Sequence, residues 1–278
     1  MNFLEFSLLL GLGGVAAGLV GSLTGLGGGI VIVPFLALGL GVDLRYAIGT
    51  SLITIIATSS GAAAAYVKEG YTNFRIGMFL EIATTAGAVS GAYLAAMVST
   101  SALAVLFGAV LLYSSYLSNR PRPDRPETAA PDPLATVLKM DSNYPTVDGP
   151  RAYRVCNVPG GFVLMFVAGT LSGLLGIGSG AVKVLAMDQV MRIPFKVSTT
   201  TSTFMIGVTA AASAGVYLGR GYIDPVLAMP VMLGVLAGSA LGARVLARVE
   251  TRVLRIVFSL VILGLGAELI YNGLTGRI

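Results

Sequence analysis

The chain has 278 residues, 55% of them hydrophobic and only 11% charged, with a net charge of +5, one cysteine and no histidine or tryptophan. Soluble domains use roughly 25% charged residues, so a water-soluble globular fold is excluded, and a mean hydropathy of +0.85 points to an integral membrane protein. The single Cys156 excludes an internal disulfide, and the lack of histidine removes the commonest metal ligand and the usual general base, so neither metal nor cofactor is expected.

In chain order, the first apolar run covers 5–23. Glu5 stands at its start and no Lys or Arg precedes it, so the basic region of a cleavable leader is missing and this span is expected to stay in place. "LTGLGGGIVIVP" (23–34) then places three consecutive glycines ahead of a short apolar run, 30–41. Glycine costs a helix interior about 1 kcal/mol relative to alanine, so this stretch marks an interruption. Longer apolar runs follow at 46–67, 75–97 and 101–118, without the alternation of a membrane β-barrel. Residues 119–157 are rich in proline and charge and read as a linker unable to bury a core, with a short amphipathic piece around Leu134 to Met140. Five more apolar segments follow, at 160–177, 181–191, 197–218, 225–243 and 255–271.

A shift of 151 positions superimposes the two apolar regions without a gap from Gly27 to about Val110. "GGG" (27–29) meets "GSG" (178–180), Thr50 and Ser51 meet Thr201 and Ser202, and Tyr66, Gly70 and Tyr71 meet Tyr217, Gly221 and Tyr222. The fold class is therefore an all-α integral membrane protein of two homologous repeats, 1–118 and 158–278, each of about five helical segments with a glycine-broken helix. If the short segment of each repeat crosses the bilayer, one side collects Lys68, Arg75, the linker's six basic residues, Arg192, Lys196, Arg244, Arg248, Arg252 and Arg255, and the other keeps Arg45, Arg220 and Arg277. Cytoplasmic loops hold the excess of Lys and Arg. This predicts inverted repeats, a cytoplasmic linker and both termini outside; a re-entrant hairpin in each repeat is the alternative. The net positive charge then serves topology rather than nucleic-acid binding.

In hydrocarbon, a backbone break is tolerable only inside protein or beside a water-filled cavity. Breaks in matching positions of two repeats point to a transporter's substrate site, where half-helix N-termini present N–H donors to an anion. The candidate substrate-binding residues are thus Gly27, Gly28, Gly29, Gly178, Ser179 and Gly180, with Thr50, Ser51, Thr54, Thr201 and Ser202 as neutral donors beside them. Membrane hydroxyls also commonly bond back to their own helix. The glycines of "GAVSG" (87–91) and "GSALG" (238–242) read as helix-packing positions. Lys183, where the first repeat has Ile32, is either counter-charge for an anion or a cation that snorkels or pairs with Asp188. Arg45 and Lys196 correspond across the offset and fall at the two mouths of a path, or act as topology anchors. Glu81 and Asp188 are the carboxylates available for proton coupling; Glu81 reads equally as a structural carboxyl.

"GSLTGLGGGIVIVP" and "GTLSGLLGIGSGAVKVL", each followed by a helix containing "TS", resemble the motifs of the TauE/SafE sulfite exporter (TSUP) family, and "FKVSTTTSTFMIGVTAAASAGVYLGRGYIDP" is the most specific stretch. The resemblance spans both repeats. It implies a multi-pass transporter in a bacterial cytoplasmic membrane, moving sulfite, sulfonates or related anions, with the family's glycine motifs on Gly27 to Gly29 and Gly178 to Gly180. Ser179 departs from the triplet's usual glycine, and no proline follows it as Pro34 follows the first motif.

The expected function is a secondary carrier, in the exporting direction, for small sulfur oxyanions. An anion leaving a cell with an interior-negative potential of about 150 mV gains about 3.5 kcal/mol, so export needs no coupling ion, whereas uptake would. The expected partners are the small anion and the lipid bilayer, and a homodimer stays open. A channel or non-transporting scaffold is one alternative. An intramembrane hydrolase using Ser179 is another, disfavoured by the lack of histidine.

Overall fold

The computed structural model describes residues 3–24, 27–68, 70–119, 132–146, 149–176, 178–246 and 251–276. The first repeat contains α1 (Phe3–Thr24), the short α2 (Gly29–Pro34) continued by a π-helical turn (Phe35–Gly39), α3 (Leu44–Lys68), α4 (Phe74–Leu94) and α5 (Thr100–Asn119). The connector holds α6 (Pro133–Val137) and a hairpin of β1 (Ser142–Thr146) and β2 (Gly149–Tyr153). The second repeat contains α7 (Val158–Leu175), the short α8 (Gly180–Leu185) with its own π-helical turn (Ala186–Val190), α9 (Phe195–Gly219), α10 (Pro225–Leu246) and α11 (Thr251–Leu274). Among the described residues, Leu4–Ser22, Val158–Leu175, Lys196–Gly219 and Pro225–Gly242 are long and apolar enough to cross a membrane. The chain is a multi-pass, mostly helical membrane protein.

The offset of 151 read from the letters reappears in the backbone. α2 and α8, their π-helical turns, and α3 and α9 all begin and end on residues 151 apart. Packing follows the same exchange: α1 lies on α10 as α7 lies on α4, α3 lies on α10 as α9 lies on α4, α3 meets α9, and α5 meets α11. α3 and α9 run antiparallel, because Arg45 at the start of α3 reaches Tyr222 beyond the end of α9 (3.5 Å) while Ser59 donates to the Thr203 carbonyl (2.6 Å). α5 and α11 are antiparallel as well: Gly108 abuts Gly266, and Gly273 abuts the Ser101 carbonyl. α4 and α9 run parallel, from the Phe74–Phe204 ring contact to the Arg220 guanidinium on the Ala92 carbonyl (2.8 Å).

The packing glycines do what their spacing predicts. A Cβ on Gly91 would fall 2.1 Å from the Thr170 carbonyl oxygen, and one on Gly238 the same distance from that of Val15. Backbones therefore touch along α4–α7 and α1–α10, where interhelical dispersion replaces the hydrophobic effect that lipid cannot supply.

The connector corrects the expectation that it could not bury a core. Residues 132–146 and 149–157 fold onto the end of the bundle where α4 and α9 begin: Ala135, Met140 and Val155 are buried in one apolar cluster with Ile76, Leu80, Met187 and Met191. The amphipathic piece expected around Leu134 to Met140 is real, as α6 and the turn after it. Asp132 caps α6 through Leu134 N and also accepts from Val158 N, the first residue of α7. Asn73 joins connector and bundle. Its carboxamide oxygen caps α4, its amide nitrogen donates to the Met140 carbonyl (3.0 Å) and the Tyr153 hydroxyl (2.7 Å), and its backbone N–H reaches Thr201 Oγ1 (3.1 Å). Burial pushes the Tyr153 hydroxyl above its ordinary pKa.

Candidate anion cradle at the two helix breaks

Each break is built by residues that leave helical geometry just before a half-helix starts. Gly27 has φ +81° and Gly178 φ +70°, conformations with a steric cost for any residue bearing a Cβ. Ser179 is also left-handed, at φ +47°. Gly28 and Ser179 form the N-caps of α2 and α8, and neither helix receives a side-chain cap. Helix N-termini leave backbone N–H groups without intrahelical partners and carry the positive end of the helix dipole.

The two interruptions lie against each other between α3 and α9. A Cβ on Gly29 would fall 2.8 Å from the Gly176 carbonyl oxygen, and positions 27 and 178 both face Ile55 and Ile206, themselves an equivalent pair across the offset. Ser51 Oγ donates to the Gly176 carbonyl (2.6 Å), tying α3 to the second break, while Ser202 Oγ donates to the Gly180 carbonyl (3.3 Å). A small cavity reaches the first break, lined by Gly21, Gly27, Ile55, Thr58, Thr203 and Ile206, with a volume of about 10 Å3, room for about one water. The cradle is shut in this conformation.

The predicted hydroxyls divide into two groups. Thr54 bonds back to the Ser51 carbonyl and Thr58 to that of Thr54, the usual habit of a membrane threonine. Thr201 is engaged by Asn73. In contrast, the buried Thr50 Oγ1 and Ser179 Oγ have no hydrogen-bond partner among the described residues. A buried hydroxyl without a partner costs about 1–3 kcal/mol, and among the predicted hydroxyls Thr50 and Ser179 bear that cost.

Lys183 is fully buried and does not snorkel. Its Nζ donates to Thr209 Oγ1 and lies 4.0 Å from Glu81 Oε2. Thr209 Oγ1 in turn donates to Glu81 Oε1 (2.7 Å), which also accepts from Thr85 Oγ1 (3.1 Å). The expectation that Lys183 pairs with Asp188 is corrected: its carboxylate is Glu81 on α4, and Asp188 Oδ2 accepts from Gln189 instead. Three segments (α4, α8 and α9) are thus joined by one polar set, a turn away from Ser179. Arg45 and Lys196 occupy opposite ends of the bundle, Arg45 on Tyr222 and on the Val98 carbonyl (3.4 Å), Lys196 over the Tyr71 ring (5.4 Å).

Sequence reasoning missed Thr209, Asn73 and the Ile55–Ile206 pair. The offset carried a signal for the isoleucines, which stand 151 apart like the glycines they cover. Asn73 announces itself only as the residue before a helix, a position where Asn is favoured for capping.

Comparison with known proteins points to membrane transporters. The family model described as "Sulfite exporter TauE/SafE" matches residues 10–269. The chain is 31% identical to the probable membrane transporter protein YunE of Bacillus subtilis (strain 168), over 98% of this chain and 99% of that protein. It is 25% identical to a probable membrane transporter protein of Xylella fastidiosa (strain 9a5c), over 94% and 92% of the two chains. It is 24% identical to the probable membrane transporter protein MJ0441 of Methanocaldococcus jannaschii, over 92% and 93%. No solved structure matches the chain. With the family model covering nearly its whole length, the chain belongs to the TauE/SafE sulfite exporter family of membrane transporters.

Proposed function

We propose that the protein is a secondary transporter of small sulfur-containing oxyanions, sulfite or organosulfonates, acting in export across a bacterial cytoplasmic membrane. The observation that carries this reading is the meeting of two equivalent glycine breaks at the interface of the repeats, each opening a half-helix that has no side-chain cap. A small oxyanion between them would accept hydrogen bonds from both N-termini and from the hydroxyl of Ser179, a neutral donor suited to a solute that must be released again.

The proposed architecture is an inverted repeat. It is supported by the antiparallel course of α3 against α9 and of α5 against α11, and by basic residues clustered at the connector's end of the bundle. Rocking of one repeat on the other would part Ile55 from Ile206 and open the cradle to alternate sides. The hydrolase alternative loses ground because Lys183, the only base a turn from Ser179, is turned to Thr209 and Glu81.

Purified protein in liposomes tests the reading. Labelled sulfite is expected to enter vesicles preloaded with unlabelled sulfite or methanesulfonate, to saturate, and to show counterflow. Flux that never saturates, or preference for chloride over every sulfur oxyanion offered, would refute it.

A further inference from the structure

The cradle does not account for the buried polar set beside it. Glu81 is 7% exposed and Lys183 0%, and Glu81 Oε2 is buried with no hydrogen-bond partner although an ammonium stands 4.0 Å away. The equivalent positions across the offset are Met232, Ile32 and Thr58. Only the threonine is kept, and Thr58 bonds to its own helix at the Thr54 carbonyl (2.8 Å). Two charges have thus been placed on one side of an otherwise repeated design.

We propose that Glu81, Thr209 and Lys183 form a proton-linked charge-exchange site, in which Lys183 passes from Glu81 to the transported anion as Glu81 takes up a proton. The inference rests on the anion-transport reading above. In the closed form the carboxylate and ammonium sum to zero. When an anion arrives, a proton from the same aqueous phase forms the O–H bond at Glu81 Oε2, and the ammonium's hydrogen bond turns to the anion. Ammonium, anion and neutral acid again sum to zero. Release reverses both steps, so anion and proton leave together. Anion entry without the proton would leave one uncompensated negative charge in a low-dielectric interior, which burial strongly disfavours.

Thr209 is fitted to relay this exchange. Its hydroxyl accepts from Lys183 and donates to Glu81 Oε1, and the Met205 carbonyl lies 3.0 Å away as an alternative acceptor once Glu81 no longer needs the bond. No other charge faces the set from the described elements around it. α7, packed on α4, carries no ionisable side chain, and α8 carries Lys183 alone. On α9, Lys196 stands over Tyr71, and the Tyr217 hydroxyl donates to the Gly173 carbonyl (3.1 Å). Asp188, in the turn after α8, holds Gln189.

This changes the energetics expected from composition. Transport through such a site is electroneutral, so the membrane potential drops out. Export then runs whenever the inward-to-outward anion ratio exceeds the opposing proton ratio, about tenfold per pH unit.

The test uses the whole protein in liposomes with the potential clamped by a potassium gradient and valinomycin, methanesulfonate as the labelled anion because its charge is constant near neutral pH, and a trapped pH dye. The wild type is expected to carry one proton per anion at a rate unaffected by the clamped potential. Glu81→Gln is expected to lose the proton flux, and its residual anion flux to follow the potential. If Glu81→Gln does not fold, Glu81→Gln/Lys183→Met removes both charges and is expected to lose the proton flux together with most of the anion flux, because the anion then has no counter-charge. An infrared difference spectrum on adding anion should show a protonated carboxyl band that is missing in either variant. Wild-type flux that follows the potential without proton movement, or coupling retained in the variants, would overturn the inference and leave the transport reading standing. If folded wild-type protein carries neither sulfite nor methanesulfonate, both fall.

Discussion

Lys183 shows what a single letter can and cannot reveal. A lysine in an apolar segment is conspicuous, because the bilayer makes it expensive, and so a compensating group was expected. The sequence offers Asp188 by proximity, yet the helix carries that residue elsewhere, and the compensation arrives through space from Glu81. Nothing local to either residue encodes the pairing. Removing one partner strands the other: Lys183→Met is expected to destabilise the folded protein by about 3–5 kcal/mol. The double variant Glu81→Gln/Lys183→Met should recover most of that loss, as read by thermal unfolding in detergent. Equal destabilisation of single and double variants would show that the pair is not coupled. Asn73 makes a second prediction. Asn73→Ala removes the cap of α4 and two of the hydrogen bonds that tie the connector to the bundle, and the cap alone is worth about 0.5–2 kcal/mol. Limited proteolysis should therefore cut residues 132–157 faster in the variant than in the wild type.

At the scale of elements, most of the helices were legible. The expected segment 197–218 is α9 (Phe195–Gly219) and 225–243 is α10 (Pro225–Leu246), because long apolar runs bounded by charge leave one solution in lipid. The glycine breaks were legible as well, since clustered glycines at equivalent positions of two repeats exceed what helix packing needs. Two things were not. The π-helical turns that close both half-helices arise from tertiary packing and carry no mark of their own in the letters. The connector's fold was hidden because its apolar residues are sparse, and it buries them against the bundle rather than against each other. Helix contact predicts a sharp contrast between two glycines. Gly238→Leu pushes a side chain into the Val15 backbone and should abolish folded, monodisperse protein, whereas Gly215→Leu, which meets nothing within 4 Å, should be tolerated. Size-exclusion profiles after extraction report both.

For the whole molecule, the repeat is the informative feature. A common offset of 151 relates the breaks, the isoleucines that cover them, the helices that follow and the way those helices pair. If the repeats are inverted as proposed, such a design would have two near-equivalent arrangements available, which is what alternating access requires. The departures from symmetry, Ser179 in the second triplet, the charged set at Glu81 and Lys183, and a connector folded over one end, would then distinguish the two proposed states from one another. Cysteines placed at Thr275 and Thr136 in a Cys156→Ser background are expected to label from opposite sides of the membrane in intact cells, Thr136 only after permeabilisation. Labelling of both from the same side would contradict the inverted arrangement.

Anion binding at the paired breaks underlies the proposed function. It is tested most directly with Ser179→Cys in the Cys156→Ser background, by following alkylation with a small maleimide while methanesulfonate is added. A cradle that binds the anion between the half-helices predicts slow labelling that methanesulfonate suppresses in a saturable way, at the concentration that half-saturates transport. Labelling indifferent to the anion, in protein that still transports it, would place the binding site elsewhere.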